Sequence, residues 1–147
     1  MPNLALTGTE VRQGNANGAT LPASTANTVL WTSDLVGCVA VCGYNGQIAF
    51  MIHSDATGNG GIGRTDLITG LRNLVAGIGT GTGFTLTLIG GSVPGVTEYL
   101  RKAGNLPDAT INNGGEADGA YITWNGKVAT TKAKLATELG VESVTIS

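Results

Sequence analysis

Residues 38–55 read CVAVCGYNGQIAFMIHSD. Two apolar runs, 39–42 and 48–52, lie on either side of the dipeptide Asn45-Gly46. Asn-Gly between apolar runs favours a tight hairpin turn, because both residues tolerate the positive φ angles that such a turn requires. The stretch therefore predicts a β-hairpin.

Short β-favouring runs continue on both sides of this hairpin. Further strands are predicted at 28–31, 84–89, 109–111 and 144–146, with a second hairpin at 120–130 around another Asn-Gly pair. Apolar residues at helical spacing predict helices over 65–78, 94–103 and 132–139. Because strands and helices do not alternate strictly, we predict an α+β fold. Its centre is a mostly antiparallel, two-layer β core resembling a β-sandwich, with about three helices outside it.

The length and composition indicate one globular domain. The chain has 147 residues, of which 41% are hydrophobic and only 12% are charged, so disorder is not expected. The 24 glycines imply many turns. Residues 7–27 are small, polar and weakly periodic, so residues 1–27 are predicted to be a flexible arm preceding a single domain at 28–147.

The charge pattern excludes several classes of partner. The net charge is −2, and no basic run extends beyond Arg101-Lys102, so neither a nucleic acid nor a membrane surface is expected as a partner. No apolar stretch is long enough for a transmembrane helix. The first residues also lack the basic start and apolar core of a Sec signal peptide.

The predicted hairpin brings the single histidine towards one of the two cysteines. Cys38 opens the first strand, and His53 follows it by 15 residues at the end of the second. Residues directly opposite each other on antiparallel strands have Cβ atoms about 4.5–5.5 Å apart. A thiol and an imidazole at that distance can act as nucleophile and base. In the structural alternative, Cys38 is a small core residue and His53 is a polar residue at a strand end.

A metal site and a dinucleotide-binding site are less well supported than the Cys38/His53 pair. Cys42 lies four residues after Cys38, about 13 Å along a strand, which is too far for a shared zinc ion or a disulfide. Cys42 is therefore predicted to belong to the core. The segment 58–63, GNGGIG, matches a dinucleotide-binding pattern. The strand at 84–89, however, ends without the acidic residue that this fingerprint requires. We expect no metal and no cofactor.

The sequence around the cysteine resembles a known family. The segment 35–38, LVGC, resembles the L-S-G-C motif of bacterial toxin glutamine deamidases. These include the catalytic domain of the cytotoxic necrotizing factors and the Burkholderia lethal factor. The segment 53–56, HSDA, resembles the H-x-D-A of the lethal factor, and the spacing from cysteine to histidine matches the necrotizing factors. Val36 stands in place of the motif's serine, which is not the nucleophile.

The same resemblance suggests a third catalytic residue. The chemoreceptor deamidase CheD shares the catalytic core of these toxins. In CheD and the lethal factor, a catalytic threonine lies six residues before the cysteine, at the position of Thr32 here. The likeness covers roughly residues 28–132, and outside these motifs it is loose. It implies a necrotizing factor/CheD-like fold and a Cys-His-Thr triad.

The resemblance implies a cysteine-dependent protein glutamine deamidase. Cys38 would attack a glutamine carboxamide, and His53 would protonate the departing ammonia and then activate water to hydrolyse the thioester. Thr32 would hold the imidazole through its hydroxyl or its backbone carbonyl. Gly37 would let the chain turn sharply, which frees the backbone N–H of Cys38 as the oxyanion donor.

Several neighbours of this pair are candidate substrate-site residues. Asp34 and Asp55 flank it and either orient a group, repel a wrong substrate or remain solvated. Trp31 and Tyr44 are expected either to line a substrate cleft or to be half-buried hairpin aromatics, as are Trp124 and Tyr121.

The family also implies a biological setting. We expect a monomeric bacterial toxin or effector that acts on a glutamine of a host protein, such as a small GTPase or a translation factor. It would be made in the bacterial cytoplasm and secreted into a host cell by a non-Sec route. Three alternatives remain at this point: a transglutaminase on the same Cys-His core, a thiol amidase or protease, and a non-enzymatic binding or structural module of phage or secretion-apparatus type.

Overall fold

The structure, a computed structural model, describes residues 3–12, 19–55, 84–91 and 110–147. These residues form ten strands and one helix. The strands are β1 (Asn3–Glu10), β2 (Ala19–Pro22), β3 (Thr28–Thr32), β4 (Cys38–Tyr44), β5 (Ile48–Asp55), β6 (Thr85–Gly90), β7 (Thr110–Asn113), β8 (Ala120–Thr123), β9 (Val128–Ala129) and β10 (Ser143–Ile146). The helix is α1 (Lys132–Leu139).

The strands form two five-stranded sheets. The first sheet has the order β10-β1-β3-β8-β9, and β1 lies parallel to both of its neighbours. The second has the order β2-β5-β4-β6-β7, and only its β6–β7 pair is parallel. Antiparallel pairing predominates, but both sheets are mixed.

The hairpin predicted at residues 38–55 is confirmed, with β4 antiparallel to β5. Its turn depends on Asn45 and Gly46. The Asn45 side-chain oxygen accepts hydrogen bonds from the backbone N–H groups of Gln47 and Ile48, each at 2.9 Å. Gly46 adopts a φ of 92°, which glycine tolerates without strain. The second hairpin is also present as β8 and β9, with Gly126 at a φ of 80°.

The two sheets pack face to face, and the core lies between them. Leu30 and Ile122 of the first sheet share one buried cluster with Ala40, Cys42 and Met51 of the second. This arrangement confirms a β-sandwich-like core.

The opposite face of the first sheet carries α1. Leu135 packs there against Leu6 and Val29. Thr131 caps the helix by accepting a hydrogen bond from the Lys134 N–H, and Gly140 ends it in the left-handed conformation.

Of the three helices predicted, the one at 132–139 is present. The predicted helices at 65–78 and 94–103 and the GNGGIG segment at 58–63 lie outside the described residues. Within the described part of the chain, no helix is long and apolar enough to cross a membrane.

The flexible arm expected over residues 1–27 is not what the structure shows for its described residues. β1 is an interior strand between β10 and β3, and Leu6 is only 1% exposed. β2 pairs with β5 at the edge of the second sheet. Small polar residues conceal these strands in the sequence, because their partners are distant and the few apolar positions give little periodicity.

Candidate active site

Thr32 and His53 join the two sheets at one end of the sandwich. Thr32 ends β3 of the first sheet, and His53 lies in β5 of the second. The Thr32 Oγ1 lies 2.7 Å from the His53 Nδ1, and the two side chains are only 3% and 5% exposed. The structure therefore brings together two of the three residues predicted for catalysis.

A backbone carbonyl completes this contact. The Thr32 hydroxyl donates a hydrogen bond of 2.6 Å to the carbonyl oxygen of Val11, the residue that follows β1. The Val11 N–H in turn donates to the carbonyl of Trp31 at 2.8 Å, and the Val11 side chain is fully buried. Val11 was not predicted, because the sequence carries no signal for a backbone carbonyl delivered by a distant strand.

These two hydrogen bonds fix the tautomer of the neutral histidine. A hydroxyl has one hydrogen, and a carbonyl oxygen can only accept. Because the Thr32 hydrogen points to Val11, the Thr32 oxygen must accept its second bond from an N–H at His53 Nδ1. The buried Nε2 then carries the lone pair, which makes Nε2 the basic nitrogen.

Cys38 lies on the same inner face of the second sheet as His53, but not directly opposite it. The register pairs Cys38 with Asp55 and His53 with Ala40. The predicted direct opposition is thus wrong. A two-residue turn at Asn45-Gly46 would pair Tyr44 with Gln47 and Cys38 with His53, whereas the structure pairs Tyr44 with Ala49 across a longer loop. Cys38 and His53 are diagonal neighbours, a relationship that places Cβ atoms about 7–8 Å apart or slightly less and stays within reach of long side chains.

The approach to Cys38 is a tight turn over residues 35–38. The backbone N–H of Cys38 donates to the Leu35 carbonyl at 3.2 Å, with Val36 and Gly37 between them. This N–H is therefore not freed for an oxyanion as predicted, because the turn itself uses it. Leu35 is fully buried, whereas Val36 is 82% exposed at the tip of the turn.

Cys42 lies in the same buried cluster between the sheets as Cys38. Burial raises the pKa of the Cys42 thiol from 9.0 to about 12, so it stays protonated at neutral pH. Both cysteines are buried and no disulfide joins them. Cys42 packs in the cluster between the sheets, as expected of a core residue.

The backbone fixes the positions of Asp34 and Asp55, the two aspartates predicted to flank the site. Asp34 is exposed and has a φ of 62°, a left-handed conformation that aspartate tolerates better than most residues. It opens the approach to the turn at 35–38. Asp55 is the register partner of Cys38.

The predicted aromatic neighbours do not lie beside Cys38 and His53. Trp31 precedes Thr32, and alternate residues of a strand face opposite ways, so Trp31 lies on the α1 side with its register partner Tyr121. Trp124 also packs against the cluster on that side. Tyr44 lies at the far end of β4, about 20 Å along the strand from Cys38.

The described residues contain no group of three or more His, Cys, Asp or Glu side chains arranged to hold a metal ion. No protein-family model and no curated protein matches the chain.

Proposed function

We propose that the protein is a cysteine-dependent glutamine deamidase, with Cys38 as nucleophile and His53 as general base and acid. The observation that carries the proposal is the Val11–Thr32–His53 chain of hydrogen bonds. It presents His53 in one tautomer, at a buried position on the face that also carries Cys38. A cysteine nucleophile needs such an oriented base. The LVGC and HSDA motifs add the resemblance to the toxin deamidases.

The reaction begins with proton transfer from the Cys38 thiol to the His53 Nε2. The thiolate attacks the glutamine carboxamide carbon, and the C=O bond opens to a tetrahedral intermediate. The imidazolium then returns its proton to the amide nitrogen, the C–N bond breaks, and ammonia leaves a thioester on Cys38. His53 next takes a proton from water, which attacks the thioester and releases glutamate and the thiol.

Thr32 keeps the imidazole oriented through both half-reactions. The Nδ1–H donates to Thr32 whether the ring is neutral or protonated, so the hydrogen bond survives each proton transfer. The contact needs no rearrangement because the Thr32 hydrogen is already bound to Val11. Thr32 is thus a positioning residue, and the reacting groups belong to Cys38 and His53.

Burial favours a side-chain amide over a peptide bond as the substrate. Cys38 and His53 are each only 5% exposed. A glutamine side chain is narrow and carries its carboxamide at the tip, so it can reach a recessed thiol. A peptide bond could reach the same thiol only if the residues on both sides of it also entered the site. This supports a deamidase over a thiol protease, whereas a transglutaminase would use the same thioester with an amine in place of water.

The same resemblance supports the rest of the proposal. The substrate is a glutamine of a host protein, of the small GTPase or translation factor type, and the protein acts as a monomeric bacterial effector. The competing candidate is a non-enzymatic module, in which the Thr32–His53 bond only ties the two sheets together. The burial of Cys38 in the cluster between the sheets favours this alternative.

Labelled water tests the proposal without knowledge of the target. Host-cell lysate and purified small GTPases are incubated with the protein in ¹⁸O-water, and modified peptides are identified by mass spectrometry. We expect glutamine-to-glutamate conversions that carry one ¹⁸O, arise with the wild type and Cys42→Ala, and vanish with Cys38→Ala. Identical peptide sets from wild type and Cys38→Ala would reject a deamidase. Cross-linked or amine-labelled glutamines would indicate a transglutaminase.

A further inference from the structure

The end of β6 lies against the backbone of the turn that presents Cys38. Gly90 is the last residue of β6, and Gly91 follows it. The Gly91 N–H lies 3.0 Å from the Leu35 carbonyl oxygen and 3.1 Å from that of Cys38, so it hydrogen-bonds to both ends of the turn. The Gly91 N–H therefore links Leu35, which opens the turn, to Cys38, the proposed nucleophile.

Neither glycine leaves room for a side chain. A Cβ atom at Gly91 would lie 1.9 Å from the carbonyl oxygen of Val36, and a Cβ at Gly90 would lie 2.2 Å from that of Cys38. Both obstacles are backbone atoms, so no side-chain rotation can relieve the contact. Gly90 also has a φ of 147°, but Gly91 has no left-handed φ. An alanine at Gly91 is thus opposed only by its contact with the turn.

The turn depends on these backbone contacts for its position. The side chain at its tip, Val36, is 82% exposed and cannot anchor it by burial. Leu35 is buried, and its N–H donates to the Asp118 carbonyl at 3.3 Å. Gly90 is held in turn by a bond of 3.1 Å from its N–H to the Gly115 carbonyl. The turn is therefore fixed at its base and exposed at its tip.

We propose that Gly91 is a positioning residue for the Cys38 thiol. His53 is fixed from the first sheet by Thr32, whereas Cys38 follows directly from the turn against Gly91. The distance between thiol and imidazole is set by where Gly91 allows the turn to lie. This inference rests on the proposed function, because it assigns Gly91 a role in aligning that nucleophile with that base.

The test compares Gly91→Ala with Gly140→Ala. Gly140 has a φ of 71° and nothing within 4 Å of an added Cβ, so its alanine variant strains the end of α1 without disturbing the turn. For each protein, the alkylation of Cys38 by iodoacetamide is followed against pH by site-resolved mass spectrometry. Circular dichroism monitors the fold, and deamidation kinetics are added once a substrate is known.

We expect Gly91→Ala to shift the pH midpoint of Cys38 alkylation upward, towards about 8.5 as in an ordinary thiol. We also expect kcat to fall by about 10²-fold, because a displacement of about 1 Å in a catalytic group costs that much. Gly140→Ala should keep the wild-type midpoint although it unfolds at a lower temperature. An unchanged midpoint in folded Gly91→Ala overturns the inference.

A second variant covers the case in which Gly91→Ala does not fold. Val36→Gly removes an exposed side chain and loosens the same turn without any new contact. It should lower the melting temperature only slightly, because glycine adds backbone freedom to the unfolded chain. It should also lower the alkylation rate of Cys38, and an unchanged rate overturns the inference. A wild-type Cys38 that reacts no faster than Cys42 would instead reject the proposed function, and the inference with it.

Discussion

Thr32 and His53 connect the two sheets of the sandwich through a buried hydrogen bond of 2.7 Å between Oγ1 and Nδ1. Because the threonine hydrogen is already donated to Val11, this contact allows only one direction: the imidazole donates and the threonine accepts. The basic nitrogen of the ring is thereby directed away from the first sheet.

Thr32→Ser and Thr32→Val separate positioning from packing. Serine keeps the acceptor and the donor, so we expect activity within a few-fold of wild type. Valine keeps the shape but removes the hydroxyl that bonds to both the His53 Nδ1–H and the Val11 carbonyl, and each buried hydrogen bond lost in this way costs about 1–3 kcal/mol of stability. Denaturant unfolding measures this loss. A structural role alone would lower stability in Thr32→Val and leave the pH profile of kcat unchanged, whereas a positioning role moves the profile as well.

Removal of residues 1–12 tests whether the N-terminal strand belongs to the site. The truncation deletes β1 and the Val11 carbonyl, so we expect the domain to lose stability and Cys38 to lose its reactivity at neutral pH. Leu6→Ala is the milder variant. Its side chain is 1% exposed, and the change should cost about 2–5 kcal/mol in urea unfolding. The partly buried Leu4 provides the control, since Leu4→Ala should cost less. A truncated protein with wild-type stability and thiol reactivity would show that this segment is dispensable.

Cys42 makes stability depend on pH in the alkaline range. Its thiol has a pKa of about 12 in the folded protein against an ordinary value of 9.0, because burial disfavours the thiolate. Above pH 9 the unfolded chain therefore binds fewer protons at this site than the folded one, and stability falls as pH rises towards 12. The free energy of unfolding of wild type minus that of Cys42→Ala should decline over this range and be flat below it. A flat difference throughout would contradict the assignment.

The hairpins could be predicted from the sequence because their information is local. Asn45-Gly46 and Asn125-Gly126 supply the turns, and the apolar runs beside them supply the strands. The register could not be predicted, since Asn-Gly indicates a turn but does not fix the length of its loop, and Tyr44 pairs with Ala49 rather than with Gln47. This longer loop is what offsets His53 from Cys38.

The position of β1 and the roles of two backbone groups could not be predicted, because they depend on long-range pairing and on main-chain atoms. β1 pairs with β3 and β10, neither of which adjoins it in the sequence, so its segment gives no local pairing signal and is predicted to be part of an arm. The Val11 carbonyl carries no side-chain signature. The Cys38 N–H, expected to be free, could be assigned to the Leu35 carbonyl only once the turn geometry was known.

The most direct measurement is the rate of Cys38 alkylation by iodoacetamide between pH 5 and 10, in wild type and His53→Ala. Site-resolved mass spectrometry reports Cys42 in the same sample as an internal control. A thiolate–imidazolium pair predicts that wild-type Cys38 reacts well below the ordinary thiol midpoint of about 8.5, and that His53→Ala moves the midpoint up to it. Cys42 should stay unreactive in both proteins. Identical profiles for Cys38 with and without His53 would contradict a catalytic pair and leave the Thr32–His53 bond as a tie between two sheets.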